Sequence, residues 1–261
     1  MNYQVLISAM NSDCNSICKK MNINSDAIIV NQCNHNKIEI IKEKNHLIKC
    51  ISLQERGVGL SRNTAFMRAD ADIIEFADED MIFTDTYHED VISEFYAHPE
   101  ADAILFNINS LNENRPFIKI KKFSRVSRIE ALKYGCARLA IKREKVIYNN
   151  ISFSLLFGGG AKYGSGEDTI FLQDCIKAGM KVYKSPIKIA DVKQDKSTWF
   201  NGYTDKYYFD KGALFAASLN NLKYIYALFS AMKNGKDIID CCRILKLYFK
   251  GIRDYEKKCN E

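Results

Sequence analysis

The chain has 261 residues, of which 47% are hydrophobic and 27% charged, and only three are proline. These are the values of an ordinary globular protein, and they argue against long disordered segments. No run approaches the ~18 apolar residues that would span a bilayer, and the amino terminus lacks the basic start and long apolar stretch of a signal peptide. The length is enough for one α/β domain with a sizeable core, with or without an appendage.

The predicted elements begin with an alternation of strands and helices. Short apolar runs predict strands at residues 4–9, 27–30, 48–53, 73–77 and 103–108. Helical patterns predict one helix at 61–69, with Ser61 as its N-cap, and another at 86–97. This alternation indicates an α/β fold whose mostly parallel sheet is flanked by helices on both faces. In such a sheet, ligands bind at the carboxyl ends of the strands.

The second half of the chain is less regular. A capping box of Ser127 and Glu130 predicts a short helix at 127–132. A glycine-rich loop at 158–168 precedes a helix at 169–178 that Gly179 ends, and a strand begins at Val182. Two amphipathic helices are predicted to form a C-terminal helical extension, with the following residues on their apolar faces: Leu222, Ile225, Tyr226 and Phe229, then Ile238, Cys242, Leu245 and Phe249.

Charge and cysteine content predict the surroundings of the protein. The net charge is +6, and residues 211–261 contribute +5 of it, with ten Lys or Arg against five Asp or Glu. A basic tail on a nearly neutral body predicts an anionic partner such as a membrane surface. The alternative is that the apolar stripes pack on the domain and the cations form a solvated face. Nine cysteines without a CxxC pair predict free thiols in a reducing cytosol, hence a cytoplasmic protein that is peripheral on the inner face of the membrane if its tail binds lipid.

The strand at 73–77 runs directly into three consecutive acids, Asp78, Glu79 and Asp80. Like charges side by side cost energy unless a cation lies among them. Carboxylates two residues apart after a strand can form a hard-oxygen site for Mn²⁺ or Mg²⁺, which takes its other ligands from phosphates and water. The alternative for a bare Asp-x-Asp is a solvated acidic turn. Glu75 interrupts the apolar strand, which indicates an edge position or a nearby arginine.

The segment GVGLSRNTAFMRADADIIEFADEDM, residues 57–81, resembles the nucleotide-sugar half of the bacterial family-2 glycosyltransferases with the GT-A fold. By this resemblance, Asp78 contacts the ribose and the donor sugar, Asp80 binds the metal, and Arg62 lies near the nucleotide. The residues that match the family's motif are Gly59, Ser61, Arg62, Asn63, Ala69, Asp78 and Asp80.

The resemblance adds three residues to the expected nucleotide-sugar site, namely Ala9, Asn31 and Glu79. Many relatives carry an Asp where Asn31 stands, and that Asp holds the base of the nucleotide. An asparagine can also pair with the edge of a uracil. A third metal ligand is left open between water, Asp191 and Asp195.

A second segment, GSGEDTIFLQDCIKAGMKV at residues 164–182, resembles the Glu-Asp motif of the same family. The resemblance implies that Asp168 is the catalytic base and that Glu167 orients the acceptor or the base. The alternative is a simple helix cap formed by Ser165 and Asp168. Both can hold, because the dipole of a helix favours an ionised Asp in its first turn. Trp199 is a weak candidate for stacking on an acceptor sugar.

Together these features predict an inverting, metal-dependent glycosyltransferase. It would move a sugar from a UDP-sugar to a hydroxyl of a glycan or lipid-linked acceptor in surface polysaccharide synthesis, with no nucleic acid as partner. Residues 1–212 would form the catalytic domain, 1–110 binding the nucleotide-sugar and 111–212 the acceptor, and 213–261 the basic helices. The alternatives are a nucleotidyltransferase on a similar sheet and a non-catalytic module that binds an anionic polymer or membrane.

Overall fold

The computed structural model describes residues 1–43, 45–194 and 202–260, so Asp195 and Trp199 lie outside the described residues. The strands are β1 (Tyr3–Met10), β2 (Asp26–Gln32), β3 (Lys37–Glu43), β4 (His46–Leu53), β5 (Ile73–Asp78), β6 (Met81–Phe83), β7 (Ala103–Ser110), β8 (Ser124–Arg125), β9 (Leu139–Lys142) and β10 (Val182–Val192). The helices are α1 (Cys14–Lys20), α2 (Val58–Phe66), α3 (Tyr87–Ala97), α4 (Arg128–Ala131), α5 (Arg143–Tyr148), α6 (Glu167–Lys177), α7 (Asp205–Leu219), α8 (Lys223–Asn234) and α9 (Ile238–Asn260).

The described strands form one sheet in the order β3-β4-β2-β1-β5-β9-β7-β10-β6, with β8 paired to β10. Strands β1, β2, β4, β5, β7 and β10 run in one direction, and β3, β6, β8 and β9 run in the other. The predicted mostly parallel sheet is therefore confirmed. All four strands that the sequence patterns missed are the antiparallel ones.

Both faces of the sheet carry an apolar core. In β1, Val5 and Ile7 belong to the core on one face and Leu6 to the core on the other, as in a strand that is buried on both sides. Helices α1 and α3 contribute to the first core, and α2 and α6 to the second. The carboxyl ends of β1, β2 and β5 lie side by side, because Ala9 of β1 pairs with Asn31 of β2 and Ser8 of β1 pairs with Asp78 of β5.

The last three helices form a third core of their own. The residues Ile244, Tyr248 and Ile252 of α9 are at most 1% exposed and pack against α7 and α8. The buried face of α9 is therefore not the predicted stripe, since Ile238 is 83% exposed and Cys242 is exposed, although Leu245 and Phe249 pack partly against this core. Helix α8 instead leaves large apolar side chains exposed. The predicted boundary between the catalytic domain and the basic helices, at 212/213, falls within helix α7. This boundary stays a prediction.

Two local sequence expectations are corrected. Ser61 is not the N-cap of α2, since the helix begins at Val58 and its N-cap is Gly57 with a φ of 128°, a conformation that glycine adopts without a Cβ penalty. Glu75 is neither at an edge nor beside an arginine. It lies in β5 between β1 and β9, accepts a hydrogen bond from the Tyr3 hydroxyl, and burial raises its pKa to about 8.

The expectation of free thiols holds for seven cysteines and not for two. Cys14 in α1 and Cys50 in β4 form a disulfide, with their Cα atoms 6.3 Å apart. The other seven are free. Among the described helices, none is both long and apolar enough to cross a bilayer.

Candidate active site

Helix α2 is held against strand β1 and against residues 153–154 by the motif residues that precede and follow Arg62. A Cβ on Gly59 would lie 2.7 Å from the Ser154 carbonyl oxygen, so only glycine allows this close approach. The Ser61 hydroxyl donates to the Ser8 hydroxyl at 3.0 Å. The Asn63 side chain donates to the Phe153 carbonyl at 2.9 Å and accepts from the Phe153 N–H at 2.8 Å. These contacts fix the direction in which Arg62 leaves the helix.

The Arg62 guanidinium joins the two acidic motifs. Its Nη2 lies 3.0 Å from Asp78 Oδ1, and its Nη1 lies 3.3 Å from Glu167 Oε1 and 2.5 Å from Asp168 Oδ1. The side chain is only 3% exposed, and its Cζ lies 5.3 Å from the centroid of the Phe153 ring. Arg62 is therefore the cation among the acids, reached by Asp78 from one motif and by Glu167 and Asp168 from the other.

The electrostatics of this cluster follow from burial and pairing. Burial alone would lower the pKa of the Arg62 guanidinium, but the carboxylates of Asp168, Asp78 and Glu167 raise it above its ordinary value. Burial, and then the neighbouring Asp168, raises the pKa of Glu167. The Glu167 carboxylate also fills the space beside Gly158, where a Cβ would lie 2.9 Å from it. Arg62 thus stays charged, and Glu167 has little room to move.

Three of the predicted site carboxylates line one cavity of about 300 Å³. They are Asp78, Asp80 and Asp168, and the cavity also touches Lys133 and Arg138. Asp80 is half-buried, and burial, followed by the charge of Asp78, raises its pKa. Ligand sites typically have volumes of ~300–1,000 Å³, so the cavity is large enough to hold a small ligand.

Three other predicted residues lie at the ends of the neighbouring strands. Ala9 is buried at the end of β1. The Asn31 amide donates to the Ser12 carbonyl at 2.8 Å and accepts from the Ser12 N–H at 3.1 Å. Glu79 accepts from the Ser12 hydroxyl at 2.6 Å and from the Met10 N–H at 3.2 Å. Both side chains therefore hold the turn after β1, and no sequence motif pointed to Ser12.

The alternative interpretations of the second motif can be compared with the structure. The N-cap of α6 is Gly166, and no side chain caps this helix, so the cap predicted from Ser165 and Asp168 is wrong.

Asp191, a candidate third metal ligand, forms an ion pair with Lys188 at 2.8 Å. Within the described residues, no three His, Cys, Asp or Glu side chains are grouped to hold a metal ion. Any metal would therefore need ligands from a substrate as well.

A larger cavity of about 700 Å³ lies away from these acids. It is lined by residues of the C-terminal helices, including Tyr208, Lys233 and Arg243. It contains none of the predicted site residues, and two of its charged residues, Arg243 and Asp240, pair with each other at 2.7 Å. We therefore place the active site at the smaller cavity.

Sequence reasoning missed Arg138 and Lys133, which line the same cavity as the acids. Arg138 immediately precedes the apolar run of β9 and is only 3% exposed. A charge beside a buried apolar strand was a usable signal, and it is the same signal that drew attention to Glu75. The apolar run of β9, a strand of four residues, was too short to be recognised as a strand from the sequence.

A sheet with acids at its carboxyl edge, facing an Asp in the first turn of a helix, is the architecture of a GT-A-type glycosyltransferase. Residues 14–157, more than half of the chain, match the family model described as "Glycosyl transferase family 2". The chain belongs to glycosyl transferase family 2 and is a glycosyltransferase that uses a nucleotide sugar. No curated protein matches it in a sequence search.

Solved structures show the same fold. Residues 1–349 of S. aureus TarS in complex with UDP-GlcNAc align with a TM-score of 0.68 and 14% identity, covering 97% of this chain and 82% of that one. The complex of TarS 1–349 with UDP gives 0.62 and 12%, covering 99% and 92%. A longer S. aureus TarS chain gives 0.63 and 15%, covering 92% and 45%. At these identities the likeness shows the fold alone, and the predicted GT-A fold is confirmed.

Proposed function

We propose that the protein transfers a sugar, with inversion, from a nucleoside-diphosphate sugar to a hydroxyl group of an acceptor. The observation that carries this proposal is the convergence of the two motifs on one cavity. Asp78 and Asp80 at the end of β5 and Asp168 at the start of α6 line the same cavity, although they are far apart in the sequence. A base and a donor site must face each other across the reacting atoms, which is what this arrangement provides.

The chemistry assigned to the chain's own residues is a single displacement. Asp168 accepts the proton of the acceptor hydroxyl, whose oxygen forms a bond to the anomeric carbon of the donor. The bond from that carbon to the diphosphate oxygen breaks, and the nucleoside diphosphate leaves with the electron pair. Attack from the face opposite the leaving group inverts the anomeric centre. Arg62 and Glu167 position Asp168, since Arg62 Nη1 contacts both carboxylates.

Asp80 is the residue that fits a divalent cation, Mn²⁺ or Mg²⁺. Among the described residues it has no cationic partner, unlike Asp78 and Asp168, and burial raises its pKa. One carboxylate with diphosphate oxygens and water is an ordinary ligand set for such an ion. When bound, the cation would neutralise charge that develops on the diphosphate.

The donor is proposed to be a UDP-sugar. The support is the shared fold with S. aureus TarS, a structure of which contains UDP-GlcNAc. Pairing of uracil with Asn31 receives no support from the geometry, because both polar atoms of that side chain already bond to the Ser12 backbone. The proposed acceptor is a glycan or a lipid-linked glycan.

A panel of nucleotide sugars, assayed for donor hydrolysis with and without Mn²⁺, tests this function. Asp168→Asn should lower turnover by ~10²–10⁴ and leave donor binding intact, as expected for loss of a general base. Asp80→Asn should weaken the binding of UDP in the presence of Mn²⁺, measured by calorimetry without turnover. Release of pyrophosphate, or near-normal turnover by Asp168→Asn, would contradict the proposal.

The C-terminal helices support attachment to an anionic membrane. On α8, Ile225 is 54%, Phe229 65% and Met232 63% exposed, and Lys233 and Lys236 nearby are exposed as well. The face of α9 that carries Lys246, Lys250, Arg253, Lys257 and Lys258 is also exposed. An exposed apolar helix face with flanking cations suits the boundary of acidic lipid, where each Lys or Arg contributes ~1 kcal/mol.

Co-sedimentation with liposomes distinguishes this surface from a solvated one. Binding to acidic vesicles should exceed binding to neutral vesicles and should fall with salt, since the Debye length shrinks from ~10 Å at 0.1 M to ~3 Å at 1 M. Phe229→Ser should weaken binding, whereas Tyr96→Ser, on an exposed aromatic residue of α3, should not. Equal partitioning onto both vesicle types would contradict the attachment.

A further inference from the structure

Arg138 is a buried arginine that pairs with no carboxylate of the described residues. It lies just before β9 and is 3% exposed. Its Nε donates to the Phe106 carbonyl at 2.7 Å and its Nη1 to the Ile118 carbonyl at 3.3 Å. Its Nη2 is buried without a hydrogen-bond partner among the described residues. Two backbone carbonyls therefore hold the guanidinium, and no described acid compensates its charge.

Such an arrangement is unfavourable in the absence of a ligand. A buried charge is normally paired, and a buried donor that has lost water without gaining a partner costs free energy. The aromatic rings of Phe117 and Tyr134, with centroids 5.9 Å and 5.5 Å from Cζ, compensate only in part. Burial accordingly lowers the pKa of Arg138 to about 10. An anion placed beside Nη2 would remove this penalty.

The position of Arg138 in the cavity indicates whether the anion belongs to the donor or to the acceptor. Arg138 and the exposed Lys133 line the cavity that also contacts Asp168. A Cβ on Gly135, between them in sequence, would lie 2.9 Å from Asp168 Oδ2, so this segment runs directly past the proposed base. Asp78 and Asp80 come from the end of β5, which is the donor side. The cations therefore lie next to the base, where the acceptor hydroxyl must be.

We propose that Arg138, assisted by Lys133, binds a carboxylate or phosphate group of the acceptor, so that this glycosyltransferase acts on an anionic sugar chain. This inference rests on the proposed function of the cavity. Guanidinium groups bind carboxylate and phosphate oxygens through paired N–H donors, and Nη2 is the donor that remains for this role. Phe117, whose ring lies against the guanidinium, would shift as the acceptor enters.

Thermal unfolding in the presence of small probes tests the binding site. The probes are sodium D-glucuronate and D-glucose 6-phosphate, with D-glucose as the neutral counterpart, at constant ionic strength. We expect the two anions to raise the Tm of the wild type and glucose not to. Arg138→Met should weaken anion binding by ~10–100-fold, the loss expected for a hydrogen bond to a charged group. Arg138→Lys should retain part of it.

Arg143→Met is the matched control, since Arg143 is partly buried and, like Arg138, donates to a backbone carbonyl, that of Ala69 at 2.8 Å, but lies outside the cavity. Its anion response should equal that of the wild type. An equal response of wild type and Arg138→Met, or no response of the wild type to either anion, overturns the proposal. Donor hydrolysis is measured in parallel, so loss of hydrolysis reports on the proposed function and loss of the anion response on this site.

A further experiment distinguishes an anion carried by the donor from one carried by the acceptor. UDP-glucuronate and UDP-glucose are compared as hydrolysed donors with wild type and Arg138→Met. The acceptor assignment predicts the same change in kcat/KM for both donors. A loss confined to UDP-glucuronate would place the carboxylate on the donor and overturn the acceptor assignment.

Discussion

Two arginines, each at least 97% buried, lie at the candidate site and differ in their partners. Arg138 lines the cavity itself, whereas Arg62 lies behind Asp78 and Asp168, which line it. Arg62, 2% exposed, contacts three carboxylates, whereas Arg138, 3% exposed, contacts backbone carbonyls and no described acid. The first charge is compensated within the protein and can serve as a fixed support for Asp168. The charge of Arg138 has no compensating acid in the part of the chain that the structure describes. The comparison suggests that a charge paired internally builds the site, and that a charge left unpaired marks where a ligand binds.

Arg62 also contacts both acids of the second motif. Asp168 faces the cavity, while Glu167 contacts Arg62 and accepts from the Gly166 N–H at 3.1 Å. The proposed base, Asp168, would keep its direction without a substrate, because the guanidinium that holds it is itself held by three carboxylates. Such preorganisation lowers the cost of reaching the reactive geometry.

The largest expected effect comes from removing the paired charge. Arg62→Met should lower the free energy of unfolding by about 3–5 kcal/mol, because breaking a buried pair leaves its partners uncompensated. Urea denaturation at pH 7 measures the change. Adding Asp168→Asn to this background should restore part of the stability, since one of the three repelling carboxylates is lost. A change below ~1 kcal/mol would show that solvent, not Arg62, stabilises these acids.

Glu75 extends the comparison to a buried acid that has no cationic partner among the described residues. Its pKa in the folded protein is raised from 4.5 to about 8 by burial, so between these values the folded state binds the proton and the unfolded state does not. Stability should therefore fall as the pH rises, by roughly 3 kcal/mol between pH 5 and pH 8.

Glu75→Gln should remove this contribution, because an amide does not titrate. The measurement is the urea midpoint at several pH values for the two proteins, and the difference between them isolates Glu75 from the other titrating groups. Asp72→Asn, a control on a carboxylate that accepts from the Asn2 N–H at an exposed position, should keep the wild-type slope between pH 5 and 8. Parallel pH profiles for wild type and Glu75→Gln would show that Glu75 does not titrate in this range.

The smallest effect is expected at Arg138. Replacing an unpaired buried charge by an apolar side chain of similar length is often neutral or stabilising, and here it is opposed by the loss of the two hydrogen bonds to Phe106 and Ile118. Arg138→Met should therefore change the free energy of unfolding by less than ~1 kcal/mol. A loss as large as that of Arg62→Met would mean that an internal partner compensates Arg138, and the contrast between the two arginines would disappear.

The sequence alone determined the parallel part of the sheet and the order of the motifs. Strands β1, β2, β4, β5 and β7 are buried on both faces. Their apolar runs can therefore be recognised in the sequence without knowledge of the neighbouring strands. Local chemistry also predicted the cap of α4, where the Ser127 hydroxyl accepts from the Glu130 N–H. The acids after β5 and before α6 could be proposed as site residues because each motif is contiguous in the chain.

Only the tertiary structure decided which charges meet. The contact of Arg62 with Asp168 joins residues 106 positions apart, and the absence of a described acidic partner for Arg138 is visible only once its surroundings are known. The antiparallel strands were missed for a similar reason. Strand β9 has four residues and becomes a strand by fitting between β5 and β7, and β3 exposes Ile38 and Ile40 at the edge of the sheet. The pairing of a strand and the compensation of a charge depend on which residues lie opposite in space, and no local sequence pattern encodes this.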